Sequence, residues 1–447
     1  MGEDKTLEMS RRGFLKASGA AVVLTSAGIA ATAEVSSAQA VPVAASEKIT
    51  MGFIGVAGRG SSLLHDFMKH PDVEVAAICD VYQPHLDKAI ETVTAAGGKP
   101  QGYADFRKLL EHKDIDAVVV ATPPHWHPLI SIAACEAGKD VYCEKPMSRY
   151  PAECKAMLKA AVDNKRMTQV GTQIHAGDNF RRCVEIVRSG ALGKISAVRV
   201  VCNMNEFPGA ARVKNSAAPP GLDWDMWLGP APKVPFNQTR FEVHRYFKDY
   251  VGSWLHELGP HIVDLGYWAM NPGAPKAVSA SGGRYALDDM SDIPDTLDVL
   301  WEYDGFTMTW MHTSCNGFNF GFGGAPDGGR RLSVIFQGTN GTLIGDYGSH
   351  QIISDGDKLK DFVAPEPSIP SSPGQDREFL DSIKSRKQAL CSFEYHEPMA
   401  LALDLAHLSL NTGRKLHWDA KAGKVTGDPE ADKMCTPKYR KPWALPG

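Results

Sequence analysis

Residues 49–171 alternate short, wholly apolar segments with amphipathic ones, and this alternation restricts the possible fold more than any other feature. Residues 49–55, 73–79 and 116–121 are predicted strands, and the segments between them have the spacing of helices. A strand that is apolar on both faces fits a parallel sheet that helices cover on both sides. The pattern therefore predicts an α/β fold whose N-terminal domain, residues 48–172, contains a doubly wound parallel sheet.

After Gly171 the pattern changes to longer segments in which apolar and polar residues alternate, as they do in antiparallel strands. We therefore expect an α+β domain over residues 173–412 with a large, mostly antiparallel sheet, followed by a C-terminal tail, residues 413–447. A Pro- and aromatic-rich insertion, about residues 206–250, interrupts this domain. The predicted strands are residues 194–204, 277–285, 295–303, 307–314, 331–337 and 342–346.

The first predicted strand opens into a glycine-rich turn, residues 55–60, which reads GVAGRG. A dinucleotide fingerprint needs glycines for a tight turn, for close approach to a pyrophosphate and for packing of the next helix. Glycines fill the first and third positions, whereas the second is alanine with a glycine beside it. Because a strand precedes this turn and a helix follows it, we interpret it as a Rossmann cofactor site. The predicted contacts in it are Gly55, Ala57, Gly58, Arg59 and Gly60.

Asp80 ends the second predicted strand, twenty residues after Gly60. A carboxylate at this position accepts hydrogen bonds from the adenosine ribose hydroxyls and repels a 2′-phosphate. No Lys or Arg stands among the next three residues to neutralise such a phosphate. The sequence therefore favours NAD over NADP.

Two further motifs follow the next long predicted strands, at the edge where doubly wound sheets bind ligands. Residues 122–127 read TPPHWH, and residues 144–146 read EKP. With these motifs the sequence resembles the glucose–fructose oxidoreductase/inositol dehydrogenase (Gfo/Idh/MocA) family. The resemblance extends over nearly the whole chain after residue 40 and also rests on residues 171–173 (GTQ), residues 223–230 (DWDMWLGP) and the pair His261 and Asp264.

The resemblance implies an oxidoreductase that uses NAD on a sugar or polyol. In that family the lysine of the Glu-Lys-Pro motif contacts both nicotinamide and substrate, and here this lysine would be Lys145. A catalytic His or Tyr is expected at the position of His261, with a carboxylate four residues earlier. That carboxylate is usually Asp, whereas this sequence has Glu257. The resemblance adds these cofactor contacts: Thr122, Pro123, His127, Glu144, Lys145 and Gln173.

Glu257, His261 and Asp264 are spaced so that they can share one helical face. We expect His261 to act as the general base on a substrate hydroxyl, with Glu257 or Asp264 orienting its ring. Taken without the resemblance, a histidine in an apolar segment is more often a hydrogen-bonded core residue. A lysine beside the positively charged nicotinamide should have its charged form disfavoured, which suits a partner of the reacting hydroxyl.

No metal site is predicted. His256 and Glu257 followed by His261 resemble a zinc-protease helix, but Pro260 stands where the second histidine belongs. His125 lies close to His127, but no third ligand is near them in the sequence. Four aromatic residues could either stack on a sugar ring or belong to the core. They are Trp224, Trp227, Tyr246 and Trp254.

The first forty residues are typical of an export signal. Residues 10–16 read SRRGFLK, a twin-arginine signature, and a weakly apolar stretch follows them up to residue 33. Residues 38–40 (AQA) offer a signal-peptidase site. We expect export by the twin-arginine machinery to the periplasm or the medium, and no membrane span in the mature chain.

Charge and cysteine content exclude several other classes. The formal net charge is −4 without a long basic or acidic run, which gives no reason to expect a nucleic-acid partner. The nine cysteines show no paired Cys-x-x-Cys spacing, so a disulfide framework is not expected. In the Gfo/Idh/MocA family the open sheet face often pairs with another subunit, so the resemblance is consistent with a homo-oligomer.

Three functions are consistent with these features. The favoured one is an NAD-dependent oxidoreductase for a sugar hydroxyl with tightly held cofactor, because an exported enzyme is separated from the cytoplasmic NAD pool. The second is a glycosidase that works by transient oxidation, elimination, water addition and re-reduction. The third is a non-catalytic NAD- or ligand-binding protein, against which the presence of Lys145 and His261 argues.

Overall fold

The predicted parallel sheet is present in the computed structural model, which describes residues 47–318 and 332–446. Its strands have the order β3-β2-β1-β4-β5-β6, and all neighbouring strands are parallel. They are β1 (Ile49–Ile54), β2 (Val73–Cys79), β3 (Gln101–Tyr103), β4 (Ala117–Val120), β5 (Asp140–Cys143) and β6 (Thr168–Val170). The strand order reverses between β1 and β4, so the carboxyl ends of these strands border the crevice where such sheets bind ligands.

Helices cover this sheet on both faces, which explains why β4 and β5 are buried along their whole length. The sequence predicted the longer helices to within a few residues but did not predict β3. The helices are α1 (Arg59–Met68), α2 (Gln83–Ala95), α3 (Phe106–Leu110), α4 (His127–Glu136) and α5 (Pro151–Asp163).

A second, larger sheet follows, with the strand order β13-β12-β11-β7-β10-β9-β8-β14-β15. Its pairs are antiparallel except β7 with β10, as expected of a mostly antiparallel sheet. The first six strands are β7 (Ile195–Asn203), β8 (Ala277–Gly283), β9 (Thr296–Glu302), β10 (Thr307–Thr313), β11 (Leu332–Gly338) and β12 (Gly341–Gly345). Three further strands were not predicted, and two of them lie in the expected tail: β13 (His350–Ser354), β14 (Leu416–Asp419) and β15 (Lys424–Thr426).

Two long helices pack against the second sheet, and one of them also contacts the first domain. One packs on the second sheet, where a Cβ at Gly266 would lie 2.9 Å from the terminal methyl carbon of Met308. The other packs against α5 and β8, and its Ala402 carbonyl accepts a hydrogen bond of 2.9 Å from the buried indole of Trp301. They are α9 (Trp254–Met270) and α11 (Phe393–Thr412); the remaining helices are α6 (Asp178–Arg188), α7 (Trp224–Leu228), α8 (Gln238–Glu242), α10 (Gln375–Ser385) and α12 (Pro429–Met434).

The predicted export signal, residues 1–40, lies outside the described residues. Of the nine cysteines, seven are buried. Over residues 47–318 and 332–446, none of the helices is both long enough and apolar enough to cross a membrane.

Candidate functional site

A cavity of about 860 Å³ opens at the carboxyl edge of the first sheet, and both domains line it. This volume lies within the range of small-molecule and cofactor sites. The predicted residues that line this sheet-edge cavity are Gly55, Ala57, Gly58, Arg59, Asp80, Thr122, Pro123, Glu144, Lys145, Gln173, Glu257 and His261. Gly60 and His127 lie behind its wall.

The glycine-rich turn has the geometry that a dinucleotide fingerprint requires. Gly55 has φ +80, and a Cβ there would lie 2.8 Å from the backbone nitrogen of Thr122. A Cβ at Gly60 would lie 2.0 Å from the Gly55 carbonyl oxygen, so α1 can approach the turn only because residue 60 is glycine. At Gly58, by contrast, a Cβ would have no neighbouring atom within 4 Å. The turn therefore leaves open space for a diphosphate in front of the first amides of α1, where anions bind.

Asp80 is fixed by its own loop and faces the sheet-edge cavity. Its two carboxylate oxygens accept hydrogen bonds from the backbone amides of Val56 and Tyr82, each at 3.0 Å. A carboxylate can accept further hydrogen bonds on its remaining lone pairs. Asp80 is therefore held in place at the cavity with lone pairs to spare, and its contact with the ribose hydroxyls of NAD stays a prediction.

Arg59 connects the glycine-rich turn to the Glu-Lys-Pro motif. Its Nε donates a hydrogen bond of 2.8 Å to Glu144 Oε1. A Cβ at Gly171 would lie 2.6 Å from the same carboxylate oxygen, which explains why glycine occupies that position. The ion pair therefore links the turn after β1 to the loop after β5 across the sheet edge.

Lys145 and Glu257 form an ion pair inside the sheet-edge cavity. Lys145 Nζ donates to the Glu257 carboxylate at 3.0 Å and to the Glu257 backbone carbonyl at 3.2 Å. Burial opposes the charge on Glu257, but the ammonium of Lys145 outweighs it and lowers the pKa of that carboxyl below its usual value. An ammonium has three donors, so one of the Lys145 hydrogens remains available to a ligand in the cavity.

His261 lies one helical turn after Glu257 and lines the same cavity. Burial lowers the pKa of His261 well below its usual value, and the positive charge of Lys145 lowers it further. Its Nδ1 is buried without a hydrogen-bond partner. A neutral imidazole in this position can accept a proton from a bound hydroxyl.

The expectation that Glu257 or Asp264 orients the His261 ring is wrong. Glu257 holds Lys145 instead, and Asp264 accepts hydrogen bonds from His175 Nδ1 at 2.8 Å and from the Tyr395 hydroxyl at 2.7 Å. Asp264 therefore joins three elements behind the cavity, although it shares α9 with His261.

His127, a predicted cofactor contact, is buried behind the cavity wall. Its ring nitrogens Nδ1 and Nε2 each lie 2.8 Å from a backbone carbonyl oxygen, that of Pro146 and that of Thr122. The histidine thus joins the loop after β4 to the loop that carries Lys145, and it shapes the site without lining it.

The 206–250 insertion supplies cavity residues that the sequence did not single out. These residues are Pro219, Met226, Gln238, Phe241, Glu242, Val243, His244 and Arg245. Of the four aromatic residues weighed for sugar stacking, Trp227 lines the cavity, whereas Tyr246 and Trp254 are buried core residues. The proline and aromatic content of the insertion set it apart in the sequence. Its residue pattern did not indicate which strand ends of the first sheet it would contact.

The chain belongs to the Gfo/Idh/MocA oxidoreductase family. The family model described as "Oxidoreductase family, NAD-binding Rossmann fold" matches residues 49–172. The model described as "Oxidoreductase family, C-terminal alpha/beta domain" matches residues 178–280 and 331–445. These matches confirm the predicted family, the predicted fold class and an NAD-binding first domain.

One curated relative and two solved structures are similar to this chain in sequence or in fold. A "Glycosyl hydrolase family 109 protein" of Shewanella baltica (strain OS185) is 33% identical over 201 residues, which cover 41% of this chain and 44% of the relative. The chain thus spans less than half the length of that relative.

The structure of GenD2 from gentamicin A biosynthesis in complex with NAD has a TM-score of 0.61 at 19% identity. The matched region covers 84% of this chain and 97% of the GenD2 chain. The WlbA dehydrogenase from Bordetella pertussis, in complex with NADH and UDP-GlcNAcA, has a TM-score of 0.62 at 18% identity and covers 83% and 99%. At these identities the two structures establish the fold alone.

Substitution of Gly60 by Ala should weaken NAD binding. The new Cβ would meet the Gly55 carbonyl at 2.0 Å and displace the turn that faces the diphosphate. We expect a loss of about tenfold or more in NAD affinity, since strain of this kind costs about 1–3 kcal/mol. Gly348→Ala is the matched control, because no atom lies within 4 Å of a Cβ there. Equal NAD affinity of the two variants by calorimetry would contradict the assigned role of Gly60.

Proposed function

We propose that this protein oxidises a hydroxyl group of a sugar, polyol or glycoside with NAD that stays bound to the protein. The observation that carries the proposal is the placement of Lys145, Glu257 and His261 in one cavity with the glycine-rich turn. The first residue comes from the NAD-binding domain and the other two from α9. Substrate and cofactor can therefore meet only where both domains contribute.

The side chains divide the chemistry between them. Bound NAD would supply the acceptor for the hydride of the substrate carbon. Lys145 uses its free N–H to bind the substrate oxygen, and Glu257 keeps that ammonium in place. His261 takes the hydroxyl proton on its neutral ring, whose low pKa lets it release that proton again.

The 206–250 insertion supports tight retention of the cofactor. Tyr82 and Leu222 form an antiparallel bridge, and on either side of it Gln83 N donates to Gly221 O at 2.9 Å and Asp223 N to Val81 O at 3.0 Å. The insertion is thus hydrogen-bonded to the loop just after Asp80, on the adenosine side of the site. Phe241 adds an aromatic contact, with its ring centroid 5.6 Å from that of Tyr82. A dinucleotide seated on Asp80 would lie beneath this cover.

Tight retention of the cofactor also fits an exported protein, which would be separated from the cytoplasmic NAD pool. We propose export by the twin-arginine machinery to the periplasm or the medium on the signature in residues 10–16. That route carries folded proteins with cofactor in place. Replacing Arg11 and Arg12 by Lys should keep the protein in the cytoplasm, as fractionation of cells would show. Normal export of that variant would contradict the route.

A second candidate is glycoside cleavage by transient oxidation, elimination, water addition and re-reduction. The observation in its favour is the 33% identity to a protein named as a glycosyl hydrolase of family 109. Both candidates begin with the same oxidation by the same residues. Incubation with free sugars and with aryl glycosides separates them: mass detection of keto-sugars supports the first, and release of the aryl group without net change of NAD supports the second.

Substitutions of Lys145 and His261 test the proposed roles directly. We expect Lys145→Met and His261→Phe each to lower kcat by about a hundredfold or more, since positioned acid–base groups contribute factors of that order. NAD should remain bound to both variants. Lys276→Met, a change at an exposed lysine, serves as the control. Turnover at the control level in Lys145→Met would refute the proposal.

The low pKa of His261 sets the pH dependence. The pKa of the folded protein lies well below the ordinary histidine value, so the ring stays neutral and able to accept a proton from pH 8 down through pH 6.5. The rate of oxidation should therefore show no loss centred on about pH 6.5, the usual histidine pKa. An acidic limb there in the kcat profile, absent from His261→Gln, would contradict the low pKa.

Cofactor retention is measured without any substrate. Protein purified from the native host should release NAD on heating, at a stoichiometry near one per chain. Phe241→Ala should accelerate NAD dissociation by about tenfold, because it removes an aromatic contact of the cover. The control is Phe207→Ala, since Phe207 is 73% exposed. Protein that carries no NAD, or equal dissociation rates for the two variants, would count against tight retention through this insertion.

A further inference from the structure

Behind the Lys145–Glu257 pair lies a buried carboxyl group that no step of the proposed reaction uses. Asp404 belongs to α11 and is 1% exposed. Ser148 Oγ donates to its Oδ2 at 2.7 Å, and His256 Nε2 lies 3.1 Å from its Oδ1. Both partners are buried as well. The carboxyl therefore joins three segments of chain in the interior.

The two partners of Asp404 stand next to the residues of the ion pair. Ser148 follows Lys145 by three positions on the same loop, and His256 immediately precedes Glu257 on α9. The loop and the helix are thus connected twice, once in the cavity by Lys145 with Glu257 and once behind it through Asp404. Two connections restrict both displacement and rotation of the loop relative to the helix. The ion pair alone would allow the loop that carries Lys145 to rotate about it.

The buried surroundings of Asp404 disfavour its charged form. Burial raises the pKa of Asp404 to about 8. A buried polar group of this kind costs stability unless its hydrogen bonds compensate, and a leucine of similar volume often fits such an interior at least as well. A role in the geometry of the site accounts for a carboxyl here, because its two oxygens can hold Ser148 and His256 at once, which an apolar side chain cannot do.

We infer that Asp404 is a positioning residue, which fixes the Lys145 loop against α9 and so sets the place of the Lys145 ammonium in the cavity. The expected effect of Asp404 on kcat rests on the proposed function. The contacts that it invokes do not depend on the identity of the substrate.

The test compares variants of the NAD-loaded full chain. Asp404→Leu should lower kcat by about tenfold or more with little change in NAD affinity or in the KM for the sugar, because orientation and not binding is lost. Asp404→Asn should retain most of the turnover, since an amide can still accept from Ser148 and bond to His256. Ser409→Ala is the matched control: Ser409 is a buried, hydrogen-bonded residue of the same helix that contacts Ala280 and Arg414 instead.

Coupling distinguishes positioning from a merely structural role. If Asp404 acts through the ion pair, Asp404→Leu should have little further effect on kcat in a Glu257→Gln background. Additive losses would overturn the inference. Should Asp404→Leu fail to fold, Ser148→Ala takes its place in the same cycle and removes one of the two connections.

A second measurement needs no turnover. Lys145 should be modified faster by reductive methylation in Asp404→Leu and in Glu257→Gln than in the unaltered protein, with Lys276 as the internal control. Equal labelling of Lys145 in Asp404→Leu and the unaltered chain would also overturn the inference. If instead Lys145→Met turns over normally while the labelling changes as expected, the proposed function fails and the positioning role of Asp404 stands.

Discussion

The hydrogen-bonded ion pair between Lys145 and Glu257 is the contact on which the site depends. It joins a loop at the carboxyl edge of the first sheet to the first turn of α9, and so it defines the cavity between an NAD-binding domain and a second, mostly antiparallel one. Charge-assisted hydrogen bonds of this kind are shorter and stronger than neutral ones. The same carboxylate lowers the positional freedom of the lysine, while the ammonium helps to keep His261 neutral.

The first domain could be predicted almost completely from the sequence, because its signals are local. β2 was predicted with the observed bounds, and the close contacts of Gly55, Gly60 and Asp80 follow from sterics and hydrogen bonding within one strand–turn–helix unit. The family match to residues 49–172 confirms the NAD-binding Rossmann fold of this part of the chain. Strands of the second sheet with strong alternation were also found, whereas β13, β14 and β15 are short and were missed.

The parts of the site that could not be predicted depend on contacts between distant segments. Helical spacing showed that His261 and Asp264 can share a face, but it could not show that Asp264 would be bound by His175 and Tyr395. It also could not place Asp404, which bonds to Ser148 across a sequence separation of 256 residues and to His256 across one of 148 residues. The family match identifies an oxidoreductase fold with an NAD site, and the geometry of these long-range contacts determines which side chains reach the substrate.

In the proposed reaction Lys145 and His261 act on one hydroxyl group of the substrate. A crystal structure of the NAD-loaded protein with the sugar that it oxidises fastest tests this claim most directly. We expect one substrate oxygen to lie within hydrogen-bond distance of both Lys145 Nζ and a His261 ring nitrogen, with the carbon that bears it facing the nicotinamide. A sugar whose hydroxyl groups contact neither side chain, or only one of them, would contradict it.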